Sequence, residues 1–365
     1  MARRVFFHVG VPKSGTTFLQ TTMWNNRAQL RAQGFLYPGR RRMDHYHASQ
    51  VVRGASPSAL GENGTSWDRI VRELAAWSGD GVVSHEFFSM ATARQARAAV
   101  EALAPAEVHV VVTARDYVRQ FPAVWQEALK MDSTDSLDEF MRRAFAHDLP
   151  GAWSWNSQDV PAILRAWSSA VPVERVHVVT VPPPGAPRDL LWRRWCEVTG
   201  IEDRDFDMEQ VFDNQSLGAV QAALLHRLKP HLTGPLQERP VQHRWVRQYF
   251  GHEVLGPQRG ERFGLRDEDA LRLRRRSRRM VRAIKEAGYP VVGDLRDLIP
   301  PAEQPVRPHP DDVTDTEMLD AAVVALEQMI RDVRELSVER DALAQRTPAA
   351  MARRTLRRAR RRLRA

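Results

Sequence analysis

Hydrophobic residues along this chain follow two alternating rhythms. Short apolar runs, Val5-Phe6-Phe7-His8-Val9, Gly81-Val82-Val83-Ser84, Val108-His109-Val110-Val111-Val112-Thr113 and Arg175-Val176-His177-Val178-Val179-Thr180-Val181, read as strands. Between them apolar residues recur at helical spacing: Phe18, Leu19, Met23 and Leu30, then residues 67–77, 92–103 and 190–199. Strands that are apolar throughout have no face for water, so their sheet must be covered on both sides. Alternating with helices, they predict a three-layer, P-loop-like α/β fold around a central parallel sheet.

The rhythm changes after residue 300. Five prolines (300, 301, 305, 308 and 310) mark residues 301–312 as a linker. Beyond it Ala322, Leu326, Met329, Val333, Leu336 and Leu343 keep a 4-3-4-3 spacing broken at Arg340, which predicts an amphipathic helix or a short coiled coil over 313–346. An Arg-rich tail, 347–365, closes the chain. The expected organisation is an α/β domain over 1–300, then the linker, the helix and the tail.

Charge sharpens that division. The formal net charge is +9, but the tail carries eight arginines and no acid, which leaves about +1 for the rest. Arg353–Arg364 is therefore the candidate for contact with an anionic membrane surface or another polyanion, and 319–343 for self-association. Cys196 is the single cysteine, which excludes an intramolecular disulfide and a cysteine-rich metal site. Arg3 and Arg4 run straight into the first strand instead of opening a signal peptide, and no apolar run nears the ~20 residues of a membrane span. The expected location is the cytoplasm, peripheral to the membrane if the tail engages it. Ten tryptophans spread from Trp24 to Trp245 point to a sizeable core within 1–300.

The most informative text is Gly10-Val11-Pro12-Lys13-Ser14-Gly15-Thr16-Thr17. Small residues between a strand and a helix let backbone N–H groups approach an anion, and the helix turns its positive end toward the same place. Ser14, Thr16 and Thr17 add hydroxyl donors and Lys13 adds a full charge. A Walker A loop places its lysine directly after the second glycine; here Thr16 stands there, and Lys13 precedes Gly15 by two. The lysine would then lie beside a transferred group and its bridging oxygen.

Pro12-Lys13-Ser14-Gly15-Thr16-Thr17 resembles, at every position, the 5′-phosphosulfate loop P-K-[SA]-G-T-[TS] of the sulfotransferases that use 3′-phosphoadenosine-5′-phosphosulfate (PAPS), in a bacterial, actinobacterial-type form. The resemblance covers roughly residues 1–300. It implies a cytosolic transferase that moves a sulfuryl group from PAPS to a hydroxyl acceptor (a carbohydrate or another small molecule) without a metal. It also implies an arginine at the end of a later strand, followed eight residues on by a serine, to hold the 3′-phosphate. Arg115 fills the first position, and its planar fork suits a phosphomonoester. Ala123 stands where the serine belongs, so either another donor, such as Arg119 or Gln120, supplies that contact or the 3′-phosphate is held more weakly than in the family.

In that family the base that takes the acceptor's proton is a histidine or glutamate just past the second strand. Ser84-His85-Glu86-Phe87-Phe88 offers both. Neighbouring residues leaving a strand point in opposite directions, so one of them faces the site; Glu86 is the first choice and His85 the alternative. Asp44-His45-Tyr46-His47 has too few ligands for a metal site and reads as a surface loop or a loop lining the acceptor pocket. Asn214–Gly218 and Gly288–Leu295 resemble stretches of bacterial sulfotransferase-like proteins, and Arg272–Arg282 puts seven arginines on an expected helix. Two other readings stand beside transfer from PAPS: a P-loop phosphotransferase, which would need Mg²⁺ and a metal-binding carboxylate, and a non-catalytic scaffold carrying the C-terminal helix and tail.

Overall fold

The computed structural model describes residues 1–208 and 216–345. One sheet contains β1 (Arg4–His8), β2 (Phe35–Leu36), β3 (Asp80–Ser84), β4 (Glu107–Ala114), β5 (Val176–Thr180) and β6 (Val291–Val292). Its order is β2-β3-β1-β4-β5-β6, and every neighbouring pair is parallel. Parallel neighbours need long crossovers, and helices supply them. After β1 come α1 (Thr16–Asn25) and α2 (Arg27–Ala32), and after β2 come α3 (Asp44–Val52) and α4 (Ser66–Ala75). Then α5 (Ala93–Glu101) follows β3, α6 (Tyr117–Lys130), α7 (Leu137–Phe145) and α8 (Val160–Ser168) follow β4, and α9 (Leu190–Thr199) follows β5. Further along lie α10 (Ala219–Leu228), α11 (Arg239–Val241) running into a π-wound stretch Gln242–Leu255, α12 (Asp267–Ala287) and α13 (Asp315–Gln345).

Successive residues of β1 serve opposite helical layers. Phe6 packs with Val82, Val111 and Val179 against Leu19 and Met23 of α1 and Trp192 and Trp195 of α9. Phe7 points the other way, 5.9 Å from the Trp67 ring of α4 and 4.8 Å from that of Trp167 in α8. Both phenylalanines are at most 1% exposed, so each contributes about 1.5–3 kcal/mol through burial alone. This is the three-layer, P-loop-like α/β arrangement the apolar runs predict, and the C-terminal helix is present as α13.

The four expected strands fall within a residue or two of the observed ones. The helical spacing from Phe18 to Leu30 resolves into two helices because Asn26 breaks the run: its amide donates to Thr22 O and Asp207 O, each at 2.8 Å, and its carbonyl accepts from Asp207 N. The stretch Asp44–His47, expected as a loop, forms the first turn of α3. Gly288–Leu295 contributes the edge strand β6, whereas Asn214 and Gln215 of the other noted stretch, and the tail 347–365, lie outside the described residues. On α12, Arg272 and Arg276 lie over aromatic rings, 3.8 Å from Phe145 and 4.1 Å from Trp155 respectively.

By contact the chain forms two compact units. The first takes Met1–Leu129, the described part of Asp135–Asn214, and Phe263–Asp311; the second takes Lys130–Thr134 and the described parts of Gln215–Arg262 and Asp312–Ala365. This grouping differs from one drawn on composition, because prolines mark where a chain turns and not which surfaces pack. The Pro-rich stretch belongs to the first unit, where Gly264 N donates to Pro308 O at 3.1 Å and Asp311 accepts from the backbone of Leu137 and Asp138 at 3.2 and 2.9 Å. Among the described residues no helix is long and apolar enough to cross a membrane.

The strand order also locates the site. β1 lies between β3 and β4, so the chain builds one side of the sheet through β2 and β3 and then crosses to the other. Loops at the carboxyl ends of strands diverge at such a reversal and leave a crevice. The loop after β1 and the ends of β3 and β4 therefore converge.

Candidate active site

The loop from Gly10 to Gly15 is held in left-handed backbone at three positions: Gly10 (φ +72°), Lys13 (φ +65°) and Gly15 (φ +82°). Glycine is required at position 10, where a Cβ would lie 2.4 Å from Glu86 Cα, so the end of β3 passes directly over the loop. Lys13 is different, because a side chain resists this conformation at a cost of order 1–3 kcal/mol. α1 begins at Thr16 with Gly15 as its cap and no side-chain cap bond, so its first N–H groups remain donors at the end of the loop.

A buried polar chain lies beneath. His8 Nδ1 is 2.8 Å from Ser84 Oγ, His8 Nε2 is 3.2 Å from Thr113 Oγ1, and Thr113 Oγ1 is 2.6 Å from Ser14 Oγ. Ser14 donates to Val11 O at 2.5 Å and accepts from Val11 N at 3.2 Å. Complete burial pushes His8 down to about 3, so it is a neutral imidazole with one donor and one acceptor. These bonds tie β1, β3 and β4 to the loop. Ser14, expected as a phosphate donor, is turned inward and braces the loop instead, while Thr17 remains half-exposed. Each of these three apolar strands ends at or next to a polar residue, His8, Ser84 or Thr113, which is the sequence signal this network leaves.

Glu86 and His85 face different surroundings. Gln20 Nε2 donates to Glu86 Oε2 at 2.9 Å. Burial pushes the Glu86 carboxyl up, but His85, Gln20, its own backbone N–H and the Thr16 hydroxyl outweigh it, so the group lies below the usual carboxylate range and is ionised. His85 Nδ1 instead accepts from Phe87 N at 3.1 Å, capping the turn Glu86–Met90 and leaving the proton on Nε2. Its ring packs 5.3 Å from that of Tyr46 and 5.1 Å from that of Phe87, and burial lowers its pKa. The carboxylate beside the loop is therefore that of Glu86.

On the β4 side the cations hold protein groups. Arg115 Nη1 donates to Lys13 O at 3.1 Å. Arg119 Nε pairs with Asp116, and its Nη1 donates to Pro182 O at 2.9 Å. Gln120 is fully buried, its amide donating to Pro12 O at 3.3 Å and to Gln158 Oε1 at 2.5 Å. Ala123 lies half-buried within α6. Lys13 Nζ rests 3.4 Å from Glu127 Oε2 on the same helix, a partner four residues beyond the missing serine that local motif reading did not reach.

Two other clusters are structural. His45 is buried, with Nε2 2.8 Å from Pro38 O and Nδ1 accepting from Ser84 N at 3.2 Å, so it pins β3. Asp138, His309 and Asp311 could bring three ligand atoms together, but Asp311 accepts from two backbone N–H groups and Asp138 pairs with Arg266 at 3.0 Å.

Fold and site together define a three-layer α/β protein with a glycine-rich loop and a buried carboxylate at its sheet reversal. No protein-family model matches the chain, and neither does any curated protein. The crystal structure of a sulfotransferase from Alicyclobacillus acidocaldarius is similar over 66% of this chain and 96% of its own, at 17% identity and a TM-score of 0.39. A likeness this distant decides neither activity nor residue roles.

Proposed function

We propose that the chain is a PAPS-dependent sulfotransferase acting on a hydroxyl acceptor. The observation that carries this reading is the approach of Glu86 to the Lys13 loop, close enough that residue 10 must be glycine. The residues fit the donor's chemistry: free N–H groups open α1, the loop's glycines leave room for close backbone approach, and Lys13 supplies a cation where a Walker loop would not. Bound PAPS would supply an activated sulfuryl group.

The chain's own residues then have distinct tasks. The Glu86 carboxylate takes the proton of the acceptor hydroxyl as its oxygen bonds to sulfur. Lys13 Nζ turns from Glu127 to the oxygen that leaves sulfur and stabilises its charge. Gly15, Thr16 and Thr17 surround the 5′-phosphate through backbone N–H groups and the Thr17 hydroxyl, with Pro12 shaping the turn before Lys13. Ser14 braces the loop from below. Arg115 holds the 3′-phosphate, and Arg119 keeps the β4 end in place through Asp116. The test is sulfate transfer from radiolabelled PAPS to a panel of hydroxyl compounds with metal chelated: transfer lost in Lys13→Ala and Glu86→Gln supports the reading, and transfer undiminished in both overturns it.

A further inference from the structure

α13 runs for 31 residues and turns its small and large apolar side chains to opposite sides. Ala321 and Ala325 are buried, and the helix packs on α10 and on Gln242–Leu255 of its own unit. Two hydrogen bonds fix that seating: Gln258 Nε2 to Ala321 O at 3.3 Å and Tyr249 Oη to Asp332 Oδ2 at 2.8 Å. Leu319, Val323, Leu326, Ile330 and Val333 face out, 63, 57, 58, 69 and 64% exposed. A helix that serves only its own unit turns its bulky apolar stripe inward. This one seats on alanines and leaves its branched aliphatics outside.

The outward residues follow a 4-3-4-3 spacing, which is the heptad repeat of a coiled coil. With Val323 and Ile330 at a, Leu319, Leu326 and Val333 fall at d. β-Branched residues at a with leucine at d favour two parallel strands. The stripe read from periodicity alone, through Ala322, Met329 and Leu336, is its neighbour; Ala322 and Met329 are only half-exposed. The seam weakens where Ser337 takes an a position and Arg340 a d position, the two being hydrogen-bonded to each other at 3.2 Å.

We infer that this face of α13 pairs with the same face of a second copy of the chain, in parallel and in register, to form a dimer. The residue types choose the occupant. Identical stripes match residue for residue about a two-fold axis along the helix. An anionic lipid surface fits poorly, because Asp320, Glu327 and Asp341 line one flank of the stripe with Arg334 as the only cation among them. From Leu319 to Val333 the apolar seam is about 21 Å long and roughly 10 Å wide, so the interface is small for a specific one and dissociates at micromolar concentrations.

Sedimentation equilibrium of the full chain over micromolar concentrations should show its mass rise from one chain to two. Leu326→Asp combined with Ile330→Asp should abolish that rise while helix content is unchanged. Orientation is read separately from Val323→Cys and Val333→Cys. Each should cross-link to itself on mild oxidation, and the native Cys196 is buried and does not compete. An antiparallel pair can bring at most one of these positions opposite itself. A single-chain mass at every concentration, or a dimer that survives the double substitution, overturns the interface. Self-linking at one position or at neither overturns the parallel pairing.

Discussion

The two sides of the candidate site are built on opposite rules. On the loop side, buried polar side chains of β1, β3 and β4 reach across strands to one another, and the chain His8, Ser84, Thr113 and Ser14 fixes a loop whose own backbone is unfavourable. Beyond the end of β4, the cations are held by backbone carbonyls and nearby acids: Arg115 on Lys13 O and Arg119 on Asp116 and Pro182 O. A fixed loop with a charged carboxylate beside it is suited to chemistry, where preorganisation lowers the barrier. Cations that exchange one partner for another are suited to binding, since they stay neutralised until a phosphate arrives. Substitutions on the first side should therefore change turnover, and those on the second should change affinity.

The largest effect is expected at Glu86. Glu86→Gln should slow transfer by about 10²–10⁴ while leaving affinity for 3′-phosphoadenosine-5′-phosphate (PAP) unchanged. Its carboxyl is held below the ordinary 4.5, so the acid limb of the pH–rate profile should lie below that value. A limb between that value and the ordinary histidine 6.5, with His85→Ala as the damaging change, would move the base to His85.

Lys13→Ala comes next. Loss of a fixed charge at the leaving oxygen costs about 3–4 kcal/mol, a hundredfold or more in turnover. Near-normal turnover in a folded Lys13→Ala protein would erase the distinction between the two sides.

Arg115→Ala should weaken PAP by about 1.5–3 kcal/mol, the range for a hydrogen bond to a charged group, and leave AMP, which lacks the 3′-phosphate, unaffected. Arg119→Ala should have the smaller effect of the two in the same calorimetric titration. Ala123→Ser restores the hydroxyl that the resemblance expects, and any gain should appear in PAP affinity and not in turnover.

The last effect concerns the stability of the frame and not transfer. Burial pushes His8 to about 3 and His45 to about 4, so both fold neutral and must bind a proton on unfolding in acid. The stability they confer is complete above 6.5 and is lost as pH falls through the window below it, by at most about 1.4 kcal/mol per pH unit for each. Urea denaturation at successive pH values should show that slope, and His8→Gln should remove one histidine's share. A flat profile would mean that the network beneath the loop does not bear on stability.

How far these features could be read in advance follows from their range. The strand, loop and helix from Arg4 to Asn25 are local, and so is α9, whose bounds coincide with its expected ones. β2 and β6, at two residues each, are too short to carry a period. Gln20 and Glu127 reach the site from elements 66 and 114 residues from their partners, which no spacing rule encodes. On α13 the heptad rhythm is plain, yet which stripe faces out is decided by size. Alanine and leucine count alike in a pattern of apolar positions, and only packing separates them.

The claim at the centre of this account is that the loop takes an adenosine carrying a 3′-phosphate and works without a metal. Titration calorimetry of the full chain with PAP in chelator, against ATP with Mg²⁺, tests it most directly. The account predicts saturable one-to-one binding of PAP without metal and none of ATP–Mg²⁺. Tight ATP–Mg²⁺ binding with no heat from PAP would contradict it and make the chain a phosphotransferase.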